Sequence, residues 1–274
     1  MQNEIKPILE YLYSKFGIDF TFYLPEIIFN QISKRLVKTG ISSLYEYENY
    51  IKNNSNELDY LLDSLMLNVS GFFRNPLVFE YIAHRILPAV IKEKISSDNH
   101  SLRIWSTGCS NGEEPYSIAI IVHELMQKEK IDFYNYIFAT DIDDSALDQA
   151  RKGVYFFEAV KNVKYGLIKK YFVKDHELYR LKSEIKNIVS FSHYDMLDKR
   201  TYSPPESIFG NFDIVCCRNL LIYFQKEYHH IIFEKIYHAL AKNAYLILGE
   251  AESPPPEYEK RFKKIFDRHI YRKV

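Results

Sequence analysis

Ser106-Thr107-Gly108-Cys109-Ser110-Asn111-Gly112-Glu113-Glu114 lies between a short apolar run, Leu102 to Trp105, and a helix-forming stretch from about Pro115 to Lys128. Two glycines let a backbone approach a ligand closely, and helix N-terminal amides can meet a ligand oxygen. The segment is neither G-x-G-x-x-G nor G-x-x-x-x-G-K-[ST], since no Lys follows. Adjacent carboxylates repel a pyrophosphate, which disfavours dinucleotides and ATP, and they suit a ligand that carries positive charge. A second apolar run, Tyr136 to Thr140, ends in Asp141-Ile142-Asp143. An acidic side chain at that place in a doubly wound sheet accepts hydrogen bonds from ribose hydroxyls. A cationic nucleoside without phosphates, S-adenosylmethionine, meets both requirements. Taken singly, the same residues also serve as helix caps and turn solvation.

These loops need a scaffold, and the sequence supplies one in two parts. Before about residue 100 only helical periodicity occurs. Pro25 suits a first turn, Ile28, Ile32 and Leu36 recur every four residues, and Gly40 can end that helix. Ser43 and Glu46 have capping-box spacing, and Leu58, Leu61, Leu62 and Leu65 form a third apolar stripe. Pro76 opens a further helix that Pro88 should bend or end. From Leu102 onward strand and helix alternate: Ser145 to Arg151 is helical, Phe212 to Cys217 a buried strand, Lys226 to Ala241 a helix and Ala244 to Gly249 a strand. That alternation predicts an α/β doubly wound parallel sheet. Three short runs, Tyr171 to Val173, Leu178 to Leu181 and Ile188 to Phe191, read as an inserted antiparallel meander, and Phe262 to Phe266 with His269 to Arg272 as a closing hairpin. The expected division is an all-helical N-terminal domain over 1–75, a linker helix over 76–98, and a cofactor domain over 99–274 carrying a β-subdomain at about 168–193.

Composition narrows the partners. The 274 residues carry 36 Lys and Arg against 36 Asp and Glu, which argues against an obligate nucleic-acid binder. With 47% apolar residues the chain can build a core. Its three cysteines, Cys109, Cys216 and Cys217, form no disulfide framework and no zinc spacing, so no metal is expected. Met1-Gln2-Asn3-Glu4 lacks a signal-peptide start, and no apolar run approaches the roughly 18 residues that span a bilayer. A reduced, cytoplasmic protein, not membrane-inserted, is the expectation.

Three motifs in order carry a closer likeness: Asn68-Val69-Ser70-Gly71-Phe72-Phe73-Arg74, then Trp105 to Ser117 with Gly-Glu-Glu-Pro-Tyr-Ser, then Cys217-Arg218-Asn219-Leu220-Leu221-Ile222-Tyr223-Phe224. From about residue 25 onward the chain resembles the chemotaxis-receptor methyltransferases, the CheR family. The resemblance implies a helical N-terminal domain followed by a class I S-adenosylmethionine-dependent methyltransferase domain with an antiparallel β-subdomain. It implies transfer of a methyl group to receptor glutamates for sensory adaptation, with S-adenosylhomocysteine as product. By the same resemblance Asn68, Ser70 (more usually Thr), Arg74, Glu114, Asp141, Asp195 (more usually Asn), Met196, Arg218 and Asn219 line the cofactor. Arg74 and Tyr223 would lie nearest the transferred methyl. Whether Glu113 or Glu114 is the main cofactor contact stays open.

Gln31, Lys34, Arg35 and Lys38 are read as projecting away from much of the apolar stripe after Pro25. Such a basic face either contacts an acidic receptor helix or is a solvated face near a helix C-terminus. Some relatives dock a receptor tether peptide at a Gly-x-Gly turn of the β-subdomain. Phe172 to Leu178 is shorter and lacks glycine, so tether recruitment is not expected. A methyltransferase for another nucleophile and a catalytically silent cofactor-binding module are the competing readings.

Overall fold

The computed structural model describes residues 2–207, 209–267 and 269–274. The chain forms two units, the first running to Leu67 with Ile222–His229 added, the second comprising Asn68–Leu221 and His230–Val274. Among the described residues no helix is long and apolar enough to cross a membrane.

The first unit is helical: α1 (Gln2–Phe16), α2 (Pro25–Thr39), α3 (Leu44–Asn53) and α4 (Ser55–Leu65). Its boundaries follow local chemistry. Pro25 sits at the first helical position of α2, Gly40 takes the left-handed C-terminal position with φ 73°, and the Ser43 hydroxyl accepts the Glu46 N–H at the start of α3. Ile5, Ile8, Leu12, Ile28, Ile32, Leu58, Leu61 and Leu65 share one core. The end of the third motif, from Ile222, returns to this unit. The Leu24 N–H donates to the Tyr223 carbonyl (2.8 Å), and the Tyr23 and Phe224 rings lie 4.6 Å apart.

One reading of α2 is corrected here. Arg35 does not project with Lys34 and Lys38; it is buried. It stands seven residues after Ile28 and three after Ile32, which is the apolar face itself. There its guanidinium pairs with Glu57 of α4 through two hydrogen bonds, 2.8 and 2.5 Å, and the Tyr47 hydroxyl donates to the same carboxylate at 2.7 Å. Lys34 and Lys38 are exposed.

The second unit begins with α5 (Pro76–Tyr81), a π turn at Ile82–Ile86, and α6 (Leu87–Ser96). Pro88 does not end this helical run, which passes from α5 through the π turn into α6 without a break. Lacking an N–H and crowding the carbonyl four residues earlier, it is accommodated by the wider π turn. The sheet strands are β1 (Ser101–Thr107), β2 (Tyr134–Asp141), β6 (Val189–His193), β7 (Phe212–Cys217), β8 (Leu240–Leu248), β9 (Phe262–Phe266) and β10 (Ile270–Lys273). Their order is β6-β2-β1-β7-β8-β10-β9. The first five are parallel, and β10 and β9 close the sheet antiparallel. The connecting helices include α7 (Glu113–Glu129), α8 (Asp144–Lys152) and α12 (His229–Ala239). The doubly wound α/β fold with a helical N-terminal domain is therefore present.

A separate three-stranded antiparallel sheet, in the order β3-β5-β4, consists of β3 (Val154–Phe156), β4 (Phe172–Asp175) and β5 (Leu178–Leu181). It is accompanied by α9 (Phe157–Val160), α10 (Tyr165–Tyr171) and α11 (Ser183–Lys186). The run Ile188 to Phe191 is not part of it. That run pairs with β2 as β6, because a parallel edge strand and an antiparallel meander strand share the same two-residue alternation.

The Arg35–Glu57 pair generates a test. Burial alone would raise the Glu57 carboxyl, but hydrogen bonds from Arg35 and Tyr47 outweigh it and hold the group below its ordinary value. A carboxyl lowered on folding adds stability above its unfolded pKa, and that stability is lost as pH falls through the folded value. Thermal melts should therefore weaken below about pH 4.5. Glu57→Gln, which takes up no proton there, should flatten this dependence and cost about 3 kcal/mol at neutral pH by stranding the Arg35 charge. An equally steep acid decline in the variant would assign the sensitivity to other groups.

Candidate functional site

The register of the parallel strands sets the site. Thr107 pairs with Thr140 on one side and Cys217 on the other, Cys217 pairs with Leu248, and Asp141 with His193. The residues that follow these ends, Gly108, Arg218, Gly249 and Tyr194, therefore lie with Asp141 in one row along the carboxyl edge. The strand order reverses between β1 and β7, which is where open α/β sheets form their ligand crevice.

Within that row the Asp141 carboxylate accepts the N–H groups of Ser110 (2.7 Å) and Asp143 (3.1 Å). Burial pushes its pKa up. Asp143 caps α8 through Ser145 and Ala146 and also accepts the Asn68 amide at 2.6 Å, while the Ser110 hydroxyl donates to the Asn68 carbonyl oxygen at 3.1 Å. Asn68 is thus tied to both cofactor-loop strands. Asp195 follows on the outer side, its carboxylate accepting the Leu197 N–H at 2.8 Å and raised by burial; Met196 is buried beside it.

Glu113 and Glu114 lie inside α7, two residues earlier than Pro115 suggests. Gly112 caps the helix from the left-handed region at φ 88°, and two acids in a first turn are favoured by the helix dipole. The two differ sharply in environment. Glu113 is 4% exposed and is raised by burial, with its own N–H and the Ser70 hydroxyl opposing that shift. One of its oxygens, Oε2, has no hydrogen-bond partner, and Glu113, Ser70, Arg74, Asn111, Gln149 and Tyr155 border a cavity of about 590 Å³. Glu114 accepts the Ser106 hydroxyl at 2.8 Å and pairs with Arg218 at 2.9 Å.

Arg218 joins two motifs. One nitrogen meets Glu114, another donates to the Arg74 carbonyl at 2.9 Å, and the guanidinium lies 5.2 Å from the centre of the Phe79 ring. Its Nε is buried without a partner. Arg74 donates one bond to the Val69 carbonyl (2.9 Å), which leaves the other edge of its fork able to donate. Asn68, Ser70, Arg74, Glu114, Asp141, Asp195, Met196, Arg218 and Asn219 all belong to the second unit; Tyr223, Lys34 and Lys38 belong to the first.

Whether these residues fit S-adenosylmethionine turns on their donor chemistry. Carboxylates at Glu113, Glu114, Asp141 and Asp195 outnumber the arginines Arg74 and Arg218, and one buried carboxylate oxygen, Glu113 Oε2, is unpaired. This set opposes a polyphosphate and suits a positively charged nucleoside with hydroxyl and amine donors. Among the described residues no group of three or more His, Cys, Asp or Glu is placed to hold a metal ion.

Residues 68–270 match the family described as CheR methyltransferase, SAM binding domain, and residues 3–66 match its all-alpha domain. The chain belongs to the CheR methyltransferase family. It is 31% identical over 255 residues to a chemotaxis protein methyltransferase of Borreliella burgdorferi, covering 92% of this chain and 88% of that one. A chemotaxis protein methyltransferase of Salmonella typhimurium is 29% identical over 252 residues, covering 90% and 82%. As a CheR methyltransferase the protein carries out S-adenosylmethionine-dependent methylation in chemotaxis.

Sequence reasoning missed several residues that hold this site together. Ser117 of α7 accepts the Phe73 N–H (3.0 Å) and donates to the Glu113 carbonyl (2.6 Å). Its signal was the Gly-Glu-Glu-Pro-Tyr-Ser motif itself. Lys235 of α12 is fully buried and donates to the Tyr194 hydroxyl (3.1 Å) and to the Thr201 and Asp198 carbonyls, fixing the loop that carries Asp195 and Met196. Its signal was spacing: it stands four residues after Ile231 and three after Ile232, on the buried face of α12.

The left-handed cap at Gly112 is testable. A Cβ there would lie 2.9 Å from the Ala150 Cβ and 3.1 Å from the Phe191 ring. Gly112→Ala should lose about 2 kcal/mol or more, from backbone strain together with overpacking. A wild-type urea midpoint for the variant would contradict this account of the turn.

Proposed function

We propose that the chain transfers a methyl group from S-adenosylmethionine to glutamate side chains in the cytoplasmic helical region of chemotaxis receptors, forming glutamyl methyl esters. The observation that carries this reading is the clustering of Glu113, Glu114, Asp141 and Asp195 with Arg74 and Arg218 at one edge of one parallel sheet. The acids suit a cationic nucleoside, Arg74 suits an approaching carboxylate, and Arg218 braces Glu114 and the Arg74 backbone.

When bound, S-adenosylmethionine supplies an electrophilic methyl carbon on a sulfonium. In this reading Glu114 holds the amino end and Asp141 the ribose, with Asp195 and Met196 at the adenine. Asn68, Ser70 and Asn219 complete the pocket. A glutamate has a reference pKa near 4.3, so the nucleophile is ionised at neutral pH and no residue need remove a proton. The chain's task is alignment, which contributes roughly 7–11 kcal/mol to lowering such a barrier. Arg74, with one edge held by Val69 and the other available, orients the incoming carboxylate through a single contact that does not quench it. Tyr223 is the second candidate beside the transferred methyl. Lys34 and Lys38, exposed on α2, provide the basic surface for an acidic receptor helix, and Arg35 takes no part. Recruitment through a receptor tether peptide is not part of the proposal.

Incubation with labelled cofactor and receptor fragments should give methyl groups released as methanol by alkali. Alkali-stable label would indicate a different nucleophile, and no label a silent module. Arg74→Ala should retain the fold and lower kcat/KM by about 100-fold or more, the usual cost of an electrostatic donor; near-normal turnover by the folded variant would remove Arg74 from the mechanism.

Charge reversal of Lys34 and Lys38 together should raise the receptor KM roughly 3- to 10-fold without changing kcat, as expected for exposed pairing charges. An unchanged KM would leave this face simply solvated.

A further inference from the structure

We infer that Glu252, with Gly249, is the positioning residue that sets the Arg218–Asn219 turn and thereby the cofactor pocket. Glu252 lies in the loop after β8 and is 3% exposed. Its Oε2 accepts the Asn219 N–H at 2.9 Å and the Gly249 N–H at 2.6 Å, and its Oε1 accepts the Leu221 N–H at 2.8 Å. One carboxylate therefore satisfies three backbone donors from the ends of two neighbouring strands, β7 and β8.

The turn needs this support. The chain reverses immediately after Cys217, and Asn219 takes φ 58°, a left-handed conformation that L-residues disfavour. Only with that reversal does the Arg218 guanidinium point back to Glu114 and to the Arg74 carbonyl. Charge-assisted bonds from a carboxylate to backbone N–H groups are the stronger class of hydrogen bond, and three of them offset the conformational cost. Gly249 makes the arrangement sterically possible. A Cβ on it would lie 2.6 Å from Glu252 Oε2, 2.9 Å from the Asn219 nitrogen and 3.1 Å from Asn219 Nδ2. The loop after β8 is fixed from its other end as well, since the Glu252 carbonyl meets His269 Nδ1 at 2.5 Å. Glu252 reaches the pocket through the backbone N–H of Asn219 and so acts through the turn.

The inference rests on the reading that Arg218 and Asn219 belong to the cofactor pocket. The experiment measures S-adenosylhomocysteine binding to the full chain by calorimetry, alongside thermal melts, for Glu252→Gln, Glu252→Ala, Gly249→Ala and Arg218→Ala. Gln keeps an acceptor for two of the three donors and should weaken binding roughly 3- to 10-fold, and Ala, which leaves all three donors unpaired, roughly 10- to 100-fold. Gly249→Ala leaves the carboxylate in place but displaces the same turn, so it should weaken binding in the same direction and keeps the test open if Glu252→Ala does not fold. A role confined to stability would lower the melting temperature and leave the affinity of the folded variants unchanged. That result, with Arg218→Ala still losing affinity, overturns the role of Glu252 while preserving the site. Wild-type affinity in Arg218→Ala overturns the site reading and this inference with it.

Discussion

Registered ends of five parallel strands are the constraint on which the candidate site depends. Thr140, Thr107, Cys217 and Leu248 are hydrogen-bonded neighbours across the sheet, so the loops after them emerge side by side. A one-residue slip of any strand would turn its side chains to the opposite face and move Asp141 or Arg218 out of the row. Both faces of the fully buried β7 and largely buried β1 are packed, so a slip would push Ile104, Trp105, Ile214 and Val215 into spaces shaped by other neighbours, at the cost of overpacking on one face and cavities on the other. Packing of apolar side chains thus fixes where charged ones stand.

The electrostatics of the row carry a cost that the fold alone does not remove. Glu113 and Asp141 are raised by burial, and Cys109, enclosed between Asp141, Glu114 and Glu113, is pushed further up by desolvation and then by those charges. Arg218 neutralises Glu114 alone. A buried carboxylate oxygen without a donor is destabilising, and a ligand that supplies positive charge and donors restores the balance by binding the folded state only. In the proposed function that ligand is the methyl donor. The same reasoning explains why the loop tolerates a Gly-Glu-Glu sequence where nucleotide-phosphate sites place glycine and lysine.

Much of this was legible in the sequence because it is local. Helical spacing before residue 100, strand–helix alternation after it, and acids at strand ends are patterns over a few residues. They place Asp141 and Arg218 at strand ends as the fold has them, while Glu114 lies within the first turn of α7 rather than in the loop before it. What was not legible acts across long separations or through the backbone. Glu252 holds the N–H of Asn219 across 33 residues, Ser117 that of Phe73 across 44, and Lys235 holds carbonyls 34 to 37 residues away. Backbone donors leave no mark on sequence. Arg35 is a different case: its spacing from Ile28 and Ile32 puts it on the buried face while its charge points to solvent, and the partner that resolves the conflict, Glu57, lies on another helix. Ile188 to Phe191 shows the remaining ambiguity, since alternation defines a strand but not its neighbour.

The three motifs occur together because each holds part of another. Phe73 adopts φ 52°, a strained conformation for an aromatic residue, and its N–H is taken by Ser117, whose hydroxyl in turn bonds the Glu113 carbonyl. Arg74, the next residue, has its carbonyl bound by Arg218, which pairs with Glu114. The two consecutive glutamates are therefore tied to two consecutive residues of the first motif by separate routes, one through a hydroxyl and one through a guanidinium. Either link alone would let the Phe73–Arg74 peptide pivot. With both in place the base of the Arg74 side chain is fixed relative to the acidic pocket, and only the far end of its guanidinium remains adjustable. In the proposed function that combination serves alignment: a rigid base sets the distance, and one adjustable contact receives the acceptor carboxylate.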